Sequence, residues 1–138
     1  MLSSFNRRCF SAFAREDRYL SIKPIVRRHG YRLERHVYKT EDDFINTAFR
    51  IPGPRADPGN PGKSRPAIIM NHGLSGSGMH FLLEGADSLA FFFAEAGFDV
   101  WLNNNRGTIF SRDHKYLDRV SDAEQYFNFS LQDMGKYD

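Results

Sequence analysis

The pattern of apolar and polar residues between positions 33 and 66 predicts a β-hairpin followed by a loop. Two β-prone segments, Leu33–Tyr38 and Phe44–Ile51, are separated by the short polar stretch 40–43, where the chain can turn back. Residues 52–66 then hold five of the six prolines and three glycines. Because proline removes a backbone donor and fixes φ, neither a helix nor a strand can persist there. We therefore expect an exposed loop after the hairpin.

The next apolar segments predict a strand, a helix and a second strand. Ala67–Met70 is a short continuous apolar run, the kind expected of a strand buried on both faces. Between Glu84 and Ala96 apolar residues recur at helical spacing, and Gly97 follows where that helix would stop. Phe98–Leu102 is apolar again. A strand, a helix and a strand in this order predict a right-handed parallel crossover and the α/β class.

The remaining C-terminal residues have a weaker pattern. We interpret 103–108 as a loop, 111–122 as charged and irregular, and Leu131–Asp138 as the opening turns of a helix. No internal repeat is evident. Because that last helix would be cut near its start, the sequence favours a fragment of a longer chain.

The first 18 residues have the pattern of a basic amphipathic helix. At helical spacing Phe5, Phe10 and Phe13 share one side, and most of the arginines fall on the other. The segment lacks the unbroken apolar stretch of a secretory signal. We assign 1–24 to a basic leader and 25–138 to the folded domain. The leader could pack on the domain, act as a transit peptide or lie at a membrane interface, so the cellular compartment stays open.

Composition and charge fit one globular unit. The chain has 138 residues, 41% of them hydrophobic, which is enough for a modest core. Its net charge of +2 conceals an asymmetry, because residues 1–40 carry 10 basic and 3 acidic side chains and the remainder carries 9 and 14. A single cysteine, Cys9, excludes an internal disulfide and a cysteine-based zinc site, since each needs at least two cysteines.

The glycine-rich loop 71–78 (NHGLSGSG) follows the first apolar strand, the place where α/β folds bind ligands. It completes neither of two common nucleotide-binding motifs. A phosphate loop beginning at Gly73 would need lysine at the position of Met79. A dinucleotide fingerprint would need glycine at the position of Phe81. Nucleotide binding is therefore not indicated.

The same loop also lacks a nucleophile and a metal site by motif. Neither Ser75 nor Ser77 has the flanking glycines of a G-x-S-x-G elbow. His72 and His80 are eight positions apart, and neither has a histidine partner four residues away with which to hold a metal. What remains is a His-Gly turn directly after a strand, which can place a backbone N–H at an oxyanion hole. Gly73 is small enough for such a turn.

Several segments resemble the N-terminal region of the acid lipase family, which includes gastric and lysosomal lipases and fungal steryl ester hydrolases. They are RIPGP at 50–54, RPAIIMNHGLSGSG at 65–78, SLAFFFAEAGFDVWLNNNRG at 88–107, SRDHKYL at 111–117 and the ending FNFSLQDMGKYD. The resemblance runs from about Ile25 to Asp138. It implies an α/β class fold, namely the N-terminal part of an α/β-hydrolase in which a β-hairpin precedes a β-α-β crossover. One departure is Asp42-Asp43, where relatives have an Asp-Gly hairpin turn.

The resemblance also implies a function. The family hydrolyses carboxylic esters of neutral lipids, triacylglycerols or steryl esters, with a serine nucleophile. The backbone N–H of Leu74 would form half of the oxyanion hole, and His72 and Gly73 would shape its turn. The serine, aspartate and histidine of the triad would follow beyond Asp138, so no catalytic triad residue is expected here. The resemblance implies neutral lipid esters as partners and contact with a membrane or lipid-droplet surface. It implies no cofactor, no metal and no nucleic acid.

Alternatives stay open at this level. The chain could be a catalytically empty lipid-binding or regulatory module, or an inactive truncated product. The Phe-rich helix could pack in the core or line an acyl site. We interpret Asn103–Asn105 and Arg106 as a structural corner in which the guanidinium binds loop carbonyls. Asn128-Phe129-Ser130 matches a glycosylation sequon, which matters only if the protein is secreted.

Overall fold

A computed structural model describes residues 21–57 and 64–138. Most of the basic leader and the middle of the proline-rich loop lie outside the described residues. The helices are α1 (Ile22–Arg28), α2 (Leu89–Glu95), α3 (Ala123–Tyr126) and α4 (Leu131–Tyr137), with short 3₁₀ helices at Gly78–Leu82 and Gly85–Asp87. The strands are β1 (Glu34–Lys39), β2 (Phe44–Ile51), β3 (Ala67–Met70), β4 (Asp99–Leu102) and β5 (Asp113–His114).

The sheet has the predicted hairpin and the predicted crossover. Its strand order is β1-β2-β4-β3, and β5 pairs with the start of β2. β1 and β2 are antiparallel, whereas β3 and β4 are parallel, with Ile69 opposite Trp101. The α/β class is thereby confirmed. β5 was not predicted, because a strand of two residues gives no periodic signal.

The hairpin turn explains one departure from the family pattern. Asp43 has a φ of 71°, the left-handed conformation that glycine adopts without steric cost. Its carboxylate accepts a hydrogen bond from Lys39 Nζ at 2.7 Å. The aspartate therefore takes a backbone conformation that glycine favours, and its side chain ties the turn to β1.

The core lies on one face of the sheet. Phe49, Val100 and Leu102 point to the face that α1 and α2 cover, and Phe91 of α2 is 1% exposed within that core. The expectation that β3 is buried on both faces is wrong for the described residues. Ile69 points to the opposite face and is 70% exposed. The physical reason is that α1, α2 and the 3₁₀ segment 78–82 all contribute to the same core.

Helix α1 lies across the boundary drawn between leader and domain. Ile22, Ile25 and Val26 follow a spacing of three and four residues, so they share one helical face, and all three are buried in the core. Pro24 falls in the first turn, where a missing N–H costs no intrahelical bond. None of the described helices is both long and apolar enough to cross a lipid bilayer.

Candidate functional site

A tight turn follows β3 at residues 73–76. The Gly76 N–H donates to the Gly73 carbonyl at 3.0 Å, and Ser75 has a φ of 63°. A positive φ at the third position of a turn, after a residue with negative φ, defines a type II turn, in which Leu74 takes the second position. Within residues 21–57 and 64–138, the Leu74 N–H donates to no protein acceptor. The donor that the sequence singled out is therefore available to a ligand.

His72 connects this turn to the loop after β4. Its Nε2 lies 3.2 Å from the backbone nitrogen of Asn105, and its Nδ1 lies 2.8 Å from the carbonyl oxygen of Gly73. The contact with Asn105 joins residues 33 positions apart along the chain, whereas the contact with Gly73 is local. The start of the glycine loop is thus attached to the end of β4.

Asn104 attaches the far end of the same loop. Its Oδ1 accepts the Gly78 N–H at 2.9 Å, and its Nδ2 donates to the Thr47 carbonyl at 2.9 Å. Asn104 is fully buried, so both bonds are made away from water. The glycine loop is consequently held at His72 and at Gly78 by two consecutive residues, Asn105 and Asn104.

The close packing that requires glycine in this loop is found at Gly76 and Gly78, and not at Gly73. A Cβ added at Gly73 would meet nothing within 4 Å, and its φ is outside the left-handed region. At Gly76 it would lie 2.8 Å from His80 Cε1, and at Gly78 it would lie 3.0 Å from Leu102 Cβ. The turn itself therefore leaves room for a side chain at position 73, and the role of Gly73 at an oxyanion hole stays a prediction. Gly73 contributes its carbonyl, which accepts hydrogen bonds from its neighbours in the turn.

We expect Gly78→Val to lower the free energy of unfolding by about 1–3 kcal/mol, the usual cost of overpacking a filled site. Gly73→Ala is the matched control, because the new methyl group enters open space and a change of less than about 0.5 kcal/mol is expected. Urea unfolding followed by the fluorescence of Trp101, the single tryptophan, measures both. Equal losses of unfolding free energy in the two variants would contradict the inference that position 78, and not position 73, is too closely packed for a side chain.

Arg106 forms ion pairs with Asp42 and Asp138 and packs against the ring of Phe44. We call these four residues the Arg106 cluster. Its Nη2 donates to Asp42 Oδ1 at 3.0 Å and its Nε donates to Asp138 Oδ1 at 2.9 Å. The guanidinium carbon lies 4.1 Å from the centre of the Phe44 ring, within cation–π range. The predicted corner exists, but its predicted partners are wrong. The guanidinium side chain binds carboxylates, which offer it stronger charge-assisted bonds than carbonyls do.

The charges of this cluster support one another. Burial alone would raise the pKa of Asp42, but hydrogen bonds from Arg106 and Thr40 outweigh it and hold that pKa below its usual value. Burial also acts to lower the pKa of Arg106, and the bonds to Asp42 and Asp138 more than reverse this effect. The hairpin turn, the loop after β4 and the end of α4 are therefore joined through one permanently charged side chain.

A cleft of ≈ 520 Å³ opens beside the turn. Residues 74–77 of the turn form one wall, and residues 106–109 with Phe127, Phe129 and Met134 line the rest. Leu74, Ile109 and Phe127 are each more than half exposed at this cleft. No phenylalanine of α2 is among these lining residues, and Phe91 packs in the core instead. Among the described residues, an apolar wall thus lies beside a turn whose Leu74 N–H has no protein acceptor, an arrangement that fits a ligand with both apolar and polar groups.

The next two histidines along the chain, His80 and His114, have different surroundings. His80 lines the cleft, together with His72. His114 Nδ1 accepts the backbone N–H groups of Tyr116 and Leu117, both at 3.1 Å. Among the described residues, no group of three or more histidine, cysteine or acidic side chains is placed to hold a metal ion. Asn128 of the sequon is exposed in the segment between α3 and α4, and its glycosylation stays a prediction.

The parallel β3-α2-β4 unit and the His-Gly turn that follows β3 fit the N-terminal part of an α/β-hydrolase, and the match to a family model identifies that class. Residues 22–85 match the family model of the partial α/β-hydrolase lipase region. The chain belongs to this lipase family, in the acid lipase group that the sequence resembles.

Three curated relatives illustrate the similarity. Human lipase member M is 36% identical over 123 residues, which cover 88% of this chain and 28% of that protein. Human gastric triacylglycerol lipase is 36% identical over 120 residues, 86% of this chain and 29% of that protein. Triacylglycerol lipase 2 of Arabidopsis thaliana is 42% identical over 112 residues, 79% of this chain and 26% of that protein. The chain thus spans less than a third of the length of these relatives.

Proposed function

We propose that this chain supplies the first part of a serine lipase site that acts on neutral lipid esters, triacylglycerols or steryl esters. The observation that supports this most is the turn at 73–76. It is held at both ends of its loop and leaves the Leu74 N–H without a protein acceptor among the described residues, beside an apolar cleft. In this role the Leu74 N–H is one of two donors to the oxyanion, and His72 and Gly73 shape its turn.

The chemistry follows from where charge develops during ester hydrolysis. A serine attacks the carbonyl carbon, and the carbonyl oxygen becomes an oxyanion that fixed N–H donors stabilise more strongly than they stabilise the substrate. The 138 residues contain no G-x-S-x-G sequence. The nucleophile and its partners in the triad would therefore come from residues outside those printed.

The rim of the cleft supports a second part of the proposal, contact with a lipid surface. Leu74 is 74% exposed, Ile109 56% and Phe127 53%, and all three border the cleft. Adjacent exposed apolar side chains of this size commonly mark a binding surface. We propose that this rim touches the membrane or lipid droplet from which the ester is taken.

A chimera tests the proposal. We expect the 138-residue chain alone to show no turnover of a short-chain chromogenic ester, because one oxyanion donor has no tetrahedral intermediate to stabilise without a nucleophile. We expect hydrolysis of emulsified triacylglycerol when this chain replaces the aligned stretch of human gastric triacylglycerol lipase. The parent lipase is the control. A chimera that unfolds cooperatively but lacks turnover would refute the proposal and favour the catalytically empty lipid-binding module.

A further inference from the structure

The two ring nitrogens of His72 have different partners, and these partners fix the position of its proton. The Asn105 backbone N–H can only donate, so Nε2, at 3.2 Å, must accept and must be unprotonated. The Gly73 carbonyl oxygen can only accept, so Nδ1, at 2.8 Å, must carry the proton. Both contacts are satisfied together by one form alone, the neutral imidazole protonated at Nδ1.

The Gly73 carbonyl is held from two sides. It accepts the Nδ1 proton of His72 at 2.8 Å and the N–H of Gly76 at 3.0 Å. The carbonyl of Gly73 and the N–H of Leu74 belong to the same planar trans peptide, in which the two bonds point in opposite directions. Any contact that fixes the direction of this carbonyl therefore fixes the direction of the Leu74 N–H.

The position of Asn105 is itself constrained. Its Oδ1 accepts a hydrogen bond from Asn103 Nδ2 at 3.2 Å, and its neighbour Asn104 is fully buried. The backbone N–H that His72 accepts thus comes from a loop attached to the end of β4. Through His72, the turn after β3 is held in a fixed position relative to the end of the neighbouring strand, β4.

We propose that His72 is a positioning residue that aims the Leu74 N–H. Its neutral imidazole links the Asn105 N–H to the Gly73 carbonyl and so holds the Gly73–Leu74 peptide in one orientation. The tautomer and the link follow from the contacts alone, whereas their consequence for catalysis rests on the proposed function. Since both ring nitrogens are engaged, His72 has no lone pair left with which to act as a general base or metal ligand.

The tautomer can be measured without any activity. In the isotopically labelled 138-residue chain, we expect the ¹⁵N signal of His72 Nδ1 at the position of a protonated ring nitrogen and that of Nε2 at the position of an unprotonated one. We also expect the Asn105 amide to exchange with solvent more slowly than in the His72→Ala variant. The reverse tautomer, or averaged signals with equal Asn105 exchange in both chains, would overturn the link.

Enzyme kinetics test the consequence in the chimera with gastric triacylglycerol lipase. We expect His72→Ala to lower kcat about 10²-fold, the lower end of the loss for a misplaced oxyanion donor, with KM little changed. His72→Asn keeps an N–H near the position of Nδ1, so it should recover part of kcat. His36→Ala is the control, because His36 packs against Trp101 on the face of the sheet opposite the core of the described residues, and it should leave kcat unchanged.

The outcomes separate the two proposals. An active chimera in which His72→Ala keeps its kcat would refute the positioning role and leave the proposed function standing. A loss of kcat that His72→Asn does not relieve at all, together with an equally large rise in KM, would show a general structural defect and would also refute it. If the unsubstituted chimera has no turnover, the proposed function fails, and the ¹⁵N measurement still decides whether His72 holds the turn.

Discussion

Replacing Arg106 by methionine is expected to lower the free energy of unfolding by about 3–5 kcal/mol, the range measured when one partner of a buried ion pair is removed. The side chain of Arg106 is fully buried, and the Asp138 carboxylate beside it is 1% exposed. Methionine restores most of the volume but supplies none of the side-chain hydrogen bonds, so only the bond from the backbone N–H of residue 106 to Asp138 remains. The substitution would leave the Asp138 carboxylate buried without its cation, and this accounts for the size of the effect.

Urea unfolding of the 138-residue chain, followed by Trp101 fluorescence, measures the loss. Arg106→Lys should fall between the parent and Arg106→Met, because lysine keeps the charge but cannot bind two carboxylates with one planar group. Arg55→Met is the control, since the Arg55 pair with Glu95 lies at the surface, and it should shift the midpoint only slightly. If Arg106→Met and Arg55→Met unfold at the same urea concentration, the Arg106 cluster does not stabilise the fold.

Replacing Leu74 by proline is expected to lower kcat of the lipase chimera by about 10²–10³, the loss that follows deletion of one oxyanion donor. Proline has no backbone N–H, so the substitution removes the proposed donor itself. The turn should survive, because proline is common at the second position of a type II turn and Gly73 tolerates the restriction that proline places on its predecessor. KM should change little, since the oxyanion forms after substrate binds.

Leu74→Ala provides the matched control, because it keeps the N–H and removes only an exposed side chain. It should retain kcat on a soluble short-chain ester. A melting curve for each variant shows whether the fold is intact. Should the proline variant fold and hydrolyse the ester at the parent rate, Leu74 is not a donor to the oxyanion.

Local patterns were enough to predict the framework of the fold. The hairpin from residue 33 to 51 and the crossover from 67 to 102 are built from segments whose apolar spacing is visible in a few consecutive residues. The turn that holds Leu74 was found in the same way, because a His-Gly pair directly after a strand is a local signal. The family resemblance then gave the turn a chemical meaning.

Contacts between distant residues could not be predicted in this way. Arg106 is 64 positions from Asp42, and no pattern in the sequence shows that a carboxylate rather than a carbonyl meets the guanidinium. The bond between Asn104 and the Gly78 N–H likewise depends on how β4 and the 3₁₀ segment 78–82 pack together. The exposure of Ile69 depends on which face of the sheet the helices cover, and a four-residue apolar run contains no information about that.

The double attachment of the glycine loop determines when its conformational entropy is lost. A segment with three glycines in eight residues has many accessible backbone states, and ordering it costs about 1–2 kcal/mol for each residue that is fixed. Because His72 and Gly78 are bonded to residues at the end of β4, that cost falls on the folding of the sheet. A ligand that reaches the Leu74 N–H then meets a donor already in place, and its binding energy is not spent on ordering the loop.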